Sequence, residues 1–152
     1  MGKPNFGPDV ISLRIPSRLD LLSVLDHVAI SLCERMDMPA EESSKVTMSV
    51  IEAGTNAIQH GHNRDASKMV DVEFTVHPDR LEIMVHDLGP GFDLSMLNGD
   101  VTSPEHLFDL RGRGIYIMRE CMDSVDFEFG PHGTICRMVK HRPPAAAEAA
   151  GA

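Results

Sequence analysis

Three short clusters carry the residue types from which a phosphate-handling site could be built. The first is Glu52-Ala-Gly-Thr-Asn56-Ala-Ile-Gln-His60. In a helix, four-residue spacing sets Glu52, Asn56 and His60 on one stripe. An acid, a neutral amide and an imidazole in a row can hold a hard cation and activate a hydroxyl. Mg2+ keeps most of its waters and takes few protein oxygens besides substrate phosphates, so one Asn carbonyl is a sensible sole protein ligand. A solvated helix face would give the same pattern. The second cluster is Asp87-Leu-Gly89-Pro-Gly91-Phe92, directly after an alternating segment. A carboxylate leaving a strand can accept a hydrogen bond from an exocyclic amine, and glycines let backbone approach a flat ligand closely. An ordinary turn is the competing reading. The third is Arg111-Gly112-Arg113-Gly114-Ile115, opening a helix. N–H groups at a helix N-terminus form an anion site, and the arginines add positive charge. It is neither a Walker A loop nor the dinucleotide fingerprint, whose further glycines and lysine are missing.

The elements that must position these clusters follow from periodicity. Ile11, Leu13 and Ile15 alternate with polar residues, which predicts a half-buried strand ended by Pro16. Ser17 is the expected cap of a first helix, with Leu21, Leu22, Leu25, Val28, Ala29, Leu32 and Met36 at helical spacing. After Pro39 a second helix runs from Glu41–Glu42 towards His60, with Val46, Val50, Ala53 and Ala57 on one face and Gly61 as its stop. Val70 to Val76 and Leu81 to Val85 alternate around Pro78-Asp79 and predict an antiparallel hairpin. The stretch 87–113 is loop-like, rich in Gly and Pro, and loops this long inside a domain are usually functional. A helix from Gly114 to Met122, a strand marked by Val125, Phe127 and Phe129, and a last strand from Thr134 to Lys140 complete the order β-α-α-β-β-loop-α-β-β. The natural layer solution is an α+β two-layer sandwich: a mixed, mostly antiparallel sheet with helices on one face.

Composition narrows the classes. The chain has 152 residues, about one domain. With 14 Lys+Arg against 23 Asp+Glu its net charge is −9, which argues against direct nucleic-acid binding. No apolar run approaches the ~20 residues of a membrane span, and residues 1–9 show no secretory signal. Cys33, Cys121 and Cys136 form no CxxC pair and are expected as reduced, mostly buried thiols in a cytoplasmic protein. Only 5 % of residues are aromatic and there is no Trp, so no aromatic platform is expected. His62 and His86 are expected to be surface or packing histidines.

The order and separation of the three clusters say more than any one of them. Together they resemble the GHKL family of ATP-binding domains, the Bergerat fold of gyrase, MutL and histidine kinases. Glu52…Asn56…His60 is similar to its N box, Asp87-x-Gly89-x-Gly91 to its G1 box and Gly112-x-Gly114 to its G2 box, and the likeness spans residues 10–141. The stretches EAGTNAIQHG, GRGIYIMRECMDSVDF and GTICRMVKH resemble the anti-sigma-factor serine kinases. About 16 residues precede the first helix, too few for the phosphoacceptor helices of a histidine kinase.

This resemblance implies ATP and Mg2+ as cofactors. Asn56 would hold Mg2+, and Glu52 would be the general base towards a protein hydroxyl. Asp87 would bind the adenine amine in a pocket shaped by Gly89, Gly91 and Phe92. His60, Arg111, Gly112 and Gly114 would lie at the phosphates, and Thr134 near adenine. Residues 93–111 would be the ATP lid, between a short head (1–9) and an Ala/Pro tail (142–152). A sigma factor and an anti-sigma antagonist protein would be the partners of a homodimer. The alternative is a non-catalytic ATP-dependent switch that selects partners without transferring phosphate.

Overall fold

A computed structural model describes residues 8–92 and 110–144, the side chains of Leu110 and Arg111 excepted. The expected lid lies outside the described residues except for its last two, which already belong to a helix. The head before residue 8 and the tail beyond residue 144 lie outside as well.

Five strands form one sheet: β1 (Asp9–Pro16), β2 (Met69–Val76), β3 (Arg80–Asp87), β4 (Ser124–Gly130) and β5 (Gly133–His141). Their spatial order is β1-β2-β3-β5-β4. Every pairing among the described strands is antiparallel, so the expected mixed sheet is corrected to an antiparallel one. The reason is connectivity: the crossover through the third helix carries the chain from β3 to β4 one place further out, and β5 returns between them, antiparallel to both.

Strict alternation sets the two faces. Val70, Val72, Phe74 and Val76 of β2, with Leu81, Ile83 and Val85 of β3, are buried, while the residues between them are half-exposed. Residues two apart share a face, so one face carries the core and the other meets solvent. Phe74 is fully buried at the centre, opposite Ile11 and Ile83; truncating such a ring to Ala costs about 3–5 kcal/mol.

Three helices cover the apolar face: α1 (Leu22–Arg35), α2 (Ala40–Thr55) and α3 (Leu110–Cys121). Leu25, Ala29 and Leu32 of α1, Val46, Val50 and Ala53 of α2, and Ile115 and Met118 of α3 are buried at helical spacing. The middle layer is α2, flanked by α1 and α3. Glu41 and Glu42 in its first turn suit the positive end of the helix dipole. Lys140 of β5, itself buried, ties that turn down: its Nζ lies 2.5 Å from Glu42 Oε2 and donates to the Cys121 carbonyl at 2.8 Å.

Two expected helix boundaries move. Ser17 does not cap α1, which starts at Leu22 after a 3-10 turn (Leu19–Leu21); the Ser17 hydroxyl is buried and bonded to His62 instead. The third helix begins at Leu110 rather than Gly114, so Gly112 and Gly114 lie inside it.

Candidate functional site

The site sits at one end of the sheet, where register lines up residues distant in sequence. Asp87, the last residue of β3, pairs with Thr134 of β5, and Thr134 pairs with Phe129 of β4. The row below is Val85, Cys136 and Phe127. All six point to the helix side. Above them runs the end of α2, so a cleft opens between sheet and helix. Asn56, Gly61, Asp87, Gly91, Phe92 and Thr134 line it, over a floor of Ala53, Ala57, Val85, Phe127 and Cys136.

The second helix does not stay α-helical. From Asn56 to Gly61 it winds as a π-helix, and the His62 N–H reaches back five residues to the Ala57 carbonyl at 3.0 Å. Such turns are rare and cluster at functional sites. With i→i+5 winding, residue 61 rather than residue 60 follows Asn56 around the turn. The expected single stripe of Glu52, Asn56 and His60 is corrected accordingly. Asn56 and Gly61 face the cleft, whereas His60 is half-buried and is not part of its lining.

Glycines lock this turn against the loop after β3. A Cβ on Gly61 would stand 2.5 Å from Asp87 Oδ1, and one on Gly89 would stand 2.6 Å from the Gly61 Cα. The two backbones touch where any side chain would intervene. Asp87 is buried, and its Oδ1 accepts the Gly89 N–H at 2.7 Å, so the carboxylate is fixed by its own loop. Gly91 adopts φ +80°, which turns the chain so that Phe92 packs back onto the sheet.

At the other end of the site α3 packs against α2. A Cβ on Gly114 would stand 2.7 Å from Glu52 Oε2 and 3.8 Å from Asn56 Nδ2. Gly114 therefore lets α3 close onto the two polar residues of α2, which is a packing role. Gly112 is buried and Arg113 exposed; Arg111 belongs to α3 by its backbone. Glu52 is half-buried and does not line the cleft, and burial pushes its carboxyl above the usual carboxylate range.

Two polar atoms at the cleft have nothing to bond. Asn56 Nδ2 and Thr134 Oγ1 are buried and find no hydrogen-bond partner among the described residues. Buried polar groups are almost always satisfied, so two orphans on one cleft mark where a ligand's polar atoms belong. With the buried Asp87 carboxylate they fit a nucleotide: the carboxylate and the hydroxyl for a base edge, and the amide N–H for a phosphate oxygen.

Sequence reasoning missed three features. Phe92 meets Phe127 and Phe129 edge-to-face, with centroids 5.2 and 5.1 Å apart, and Phe127 stacks on Phe129. The chain thus concentrates three of its six Phe at one cleft despite its low aromatic content. Gly61 stands at the cleft rather than merely ending a helix. His62 is fully buried beneath the loop after β3, while His86 is half-exposed and bonded to the His132 carbonyl. No group of three His, Cys, Asp or Glu among the described residues is placed to hold a metal. The cysteines are free, and burial pushes the Cys136 thiol up to about 12.

Residues 15–140 match the family described as the histidine kinase-like ATPase domain. The chain belongs to this family. Among its relatives is the serine-protein kinase RsbW of Bacillus subtilis, 31 % identical over 122 residues, which cover 77 % of this chain and 76 % of that protein. The serine-protein kinase RsbW of Oceanobacillus iheyensis is 28 % identical over 139 residues, covering 88 % of this chain and 87 % of the relative. Two solved structures share the fold. The RsbU and RsbW domains of a Mycobacterium tuberculosis protein give a TM-score of 0.64 at 11 % identity, covering 90 % of this chain and 34 % of that one. The histidine kinase domain of the blue-light-activated kinase of Erythrobacter litoralis gives 0.54 at 20 % identity, covering 80 % of this chain and 61 % of that one. This ATPase-domain chain is thus an α+β sandwich whose family-level identity agrees with the order of its three motifs.

Proposed function

We propose that this protein is an ATP-dependent protein serine/threonine kinase that also acts as an anti-sigma factor. It would transfer the ATP γ-phosphate to an anti-sigma antagonist protein in a partner-switching pathway. One observation carries the reading: the orphaned Asn56 and Thr134 side chains and the buried Asp87 carboxylate converge on one cleft. The serine-protein kinase relatives at comparable length support the choice of reaction.

Asp87 accepts the adenine amine, with Thr134 beside it on the neighbouring strand. Gly89, Gly91 and Phe92 shape the base pocket. Asn56 would hold Mg2+ through its carbonyl oxygen, and the ion would supply charge neutralisation at the phosphates. His60, Arg111, Gly112 and Gly114 belong to the phosphate end. Phosphoryl transfer needs mainly positioning and charge stabilisation. The remaining requirement is a base: Glu52 takes the proton of the attacking serine or threonine hydroxyl as the ADP oxygen leaves. Its desolvation favours this role, because a raised carboxyl holds a proton better near neutral pH.

The −9 charge suits protein partners that present basic segments, a sigma factor and its antagonist, rather than nucleic acid. No helix among the described residues is long and apolar enough to cross a membrane; a cytoplasmic homodimer is part of the proposal. The test is γ-phosphate transfer to the antagonist protein by wild type and Glu52→Ala. Transfer by wild type alone supports the reading. Equal transfer by both removes Glu52 as base, and ATP-dependent partner binding with no phosphoprotein replaces the kinase with a switch module.

A further inference from the structure

His62 is absent from the chemistry above, yet it is fully enclosed beneath the loop that follows Asp87. It follows the π turn and is 1 % exposed. Its Nε2 accepts the N–H of Leu88, in the loop between Asp87 and Gly89, at 2.7 Å. A neutral imidazole that accepts at Nε2 carries its proton on Nδ1, so Nδ1 donates to the buried Ser17 hydroxyl at 2.5 Å. A chain of hydrogen bonds thus runs from the β1–α1 connection, through the ring, to the backbone next to Asp87. The segment after His62 is held hard: Asn63 and Arg64 both take left-handed conformations (φ 51° and 60°), which persist only where the surroundings over-determine them.

We propose that His62 is a positioning residue for nucleotide binding, a neutral-imidazole strut that holds the loop carrying Asp87 and Gly89 against the π turn and releases it on protonation. This rests on the nucleotide-site reading of that cleft. The imidazolium has two donors and no acceptor. It would therefore confront the Leu88 N–H donor-to-donor, and the loop that fixes Asp87 would lose this hydrogen bond to the residue that follows the π turn.

The groups around the ring oppose one another. Burial holds the imidazole below its ordinary range; Asp87 of β3 and Asp65 of the following loop draw it up, while Lys68 and His86 draw it down. His62 is therefore neutral near pH 7, and the release falls on the acid side of the ordinary imidazole range.

The experiment has two arms on the full chain. Affinity for ADP is measured by calorimetry from pH 8 to pH 5.5 for wild type, His62→Gln and His62→Leu. The Leu88 amide is followed by nitrogen-resolved NMR in the ligand-free protein over the same range. Gln offers an oxygen to the Leu88 N–H and does not protonate; Leu offers nothing. Wild type should lose about five- to tenfold in affinity towards acid, the effect of one lost hydrogen bond. His62→Gln should bind more weakly than wild type at pH 8 but without that slope, and His62→Leu more weakly still at every pH. Titration of the ADP phosphate is common to all three proteins and cancels in the comparison. An equal slope in His62→Gln overturns the inference, and so does a Leu88 amide that ignores pH. ADP that binds to none of the proteins at any pH refutes the nucleotide site itself and with it the effect on affinity, while the Leu88 amide still decides whether the strut exists.

Discussion

The contact between Gly61 and Asp87 makes Gly61→Ala the sharpest probe of how the site is held. Two effects compete. In a helix interior Ala is favoured over Gly by about 1 kcal/mol, so on propensity alone the variant would be more stable. Against this, the new methyl would stand 2.5 Å from Asp87 Oδ1 and 2.7 Å from its Cγ. Ordinary contact begins near 3.4 Å, so the carboxylate must move by about 0.9 Å. It is buried and bonded to the Gly89 N–H at 2.7 Å, and Gly89 is itself pressed against Gly61. Overpacking of this kind costs about 1–3 kcal/mol, and stretching the Gly89 bond adds to it, so the clash wins. The net loss of stability should be about 1–2 kcal/mol. The loss in ADP affinity should be about 10- to 100-fold, because a displaced carboxylate forfeits a charge-assisted hydrogen bond. Chemical unfolding and calorimetry with ADP and with IDP, whose base has a carbonyl in place of the amine, separate the two. Wild type should prefer ADP and Gly61→Ala should lose most of that preference. A variant that is more stable than wild type and keeps its preference would refute the steric argument.

Other expectations follow from single atoms. Thr134→Val removes an orphaned hydroxyl; the fold should gain up to about 1 kcal/mol while nucleotide affinity falls about five- to tenfold, opposite signs that unfolding and calorimetry read separately. Glu42→Gln leaves the Lys140 ammonium without its carboxylate and should cost about 1–3 kcal/mol, towards the low side because Glu42 is a quarter exposed. Hydrogen bonding to Lys140 holds the Glu42 carboxyl below its ordinary range. Its contribution is therefore complete above about pH 4.5 and lost as pH falls through the lowered value, a limb that should vanish from the acid-unfolding curve of the variant. Glu52 shifts the other way, so its charge opposes folding at neutral pH. Glu52→Gln should melt slightly higher at pH 7, bind ADP, and lose about 10²- to 10⁴-fold in transfer rate.

Much of the scaffold could be read from the chain because its signals are local. The alternation in Val70–Val76 and Leu81–Val85 needs only neighbours two apart, and the structure follows it residue for residue. The family resemblance implies both Asp87 and Thr134, 47 positions apart, and the register sets them opposite each other. What stayed hidden depends on contacts between distant segments. Nothing in EAGTNAIQHG announces a π turn, so Gly61 reads as a stop signal rather than as part of the cleft wall. Ser17 has the right type and place for a cap, but a buried imidazole 45 residues away takes its hydroxyl. Gly112 and Gly114 look like helix breakers, yet both lie within α3; close approach to Glu52 explains the second. Three Phe scattered over 92–129 form one cluster only because β4 sits at the sheet edge beside β5.

The central claim is that the cleft between the end of α2 and the β3–β5 strand ends binds an adenine nucleotide. The most direct measurement is a Mg-ATP titration of the full chain followed by amide and side-chain NMR, with Mg-ITP as the control. The account predicts saturable shifts centred on the Asn56 side-chain amide, Leu88 to Phe92 and Thr134, at lower concentrations of ATP than of ITP. Shifts confined to the solvent-facing side of the sheet, or none at millimolar ATP, would contradict it.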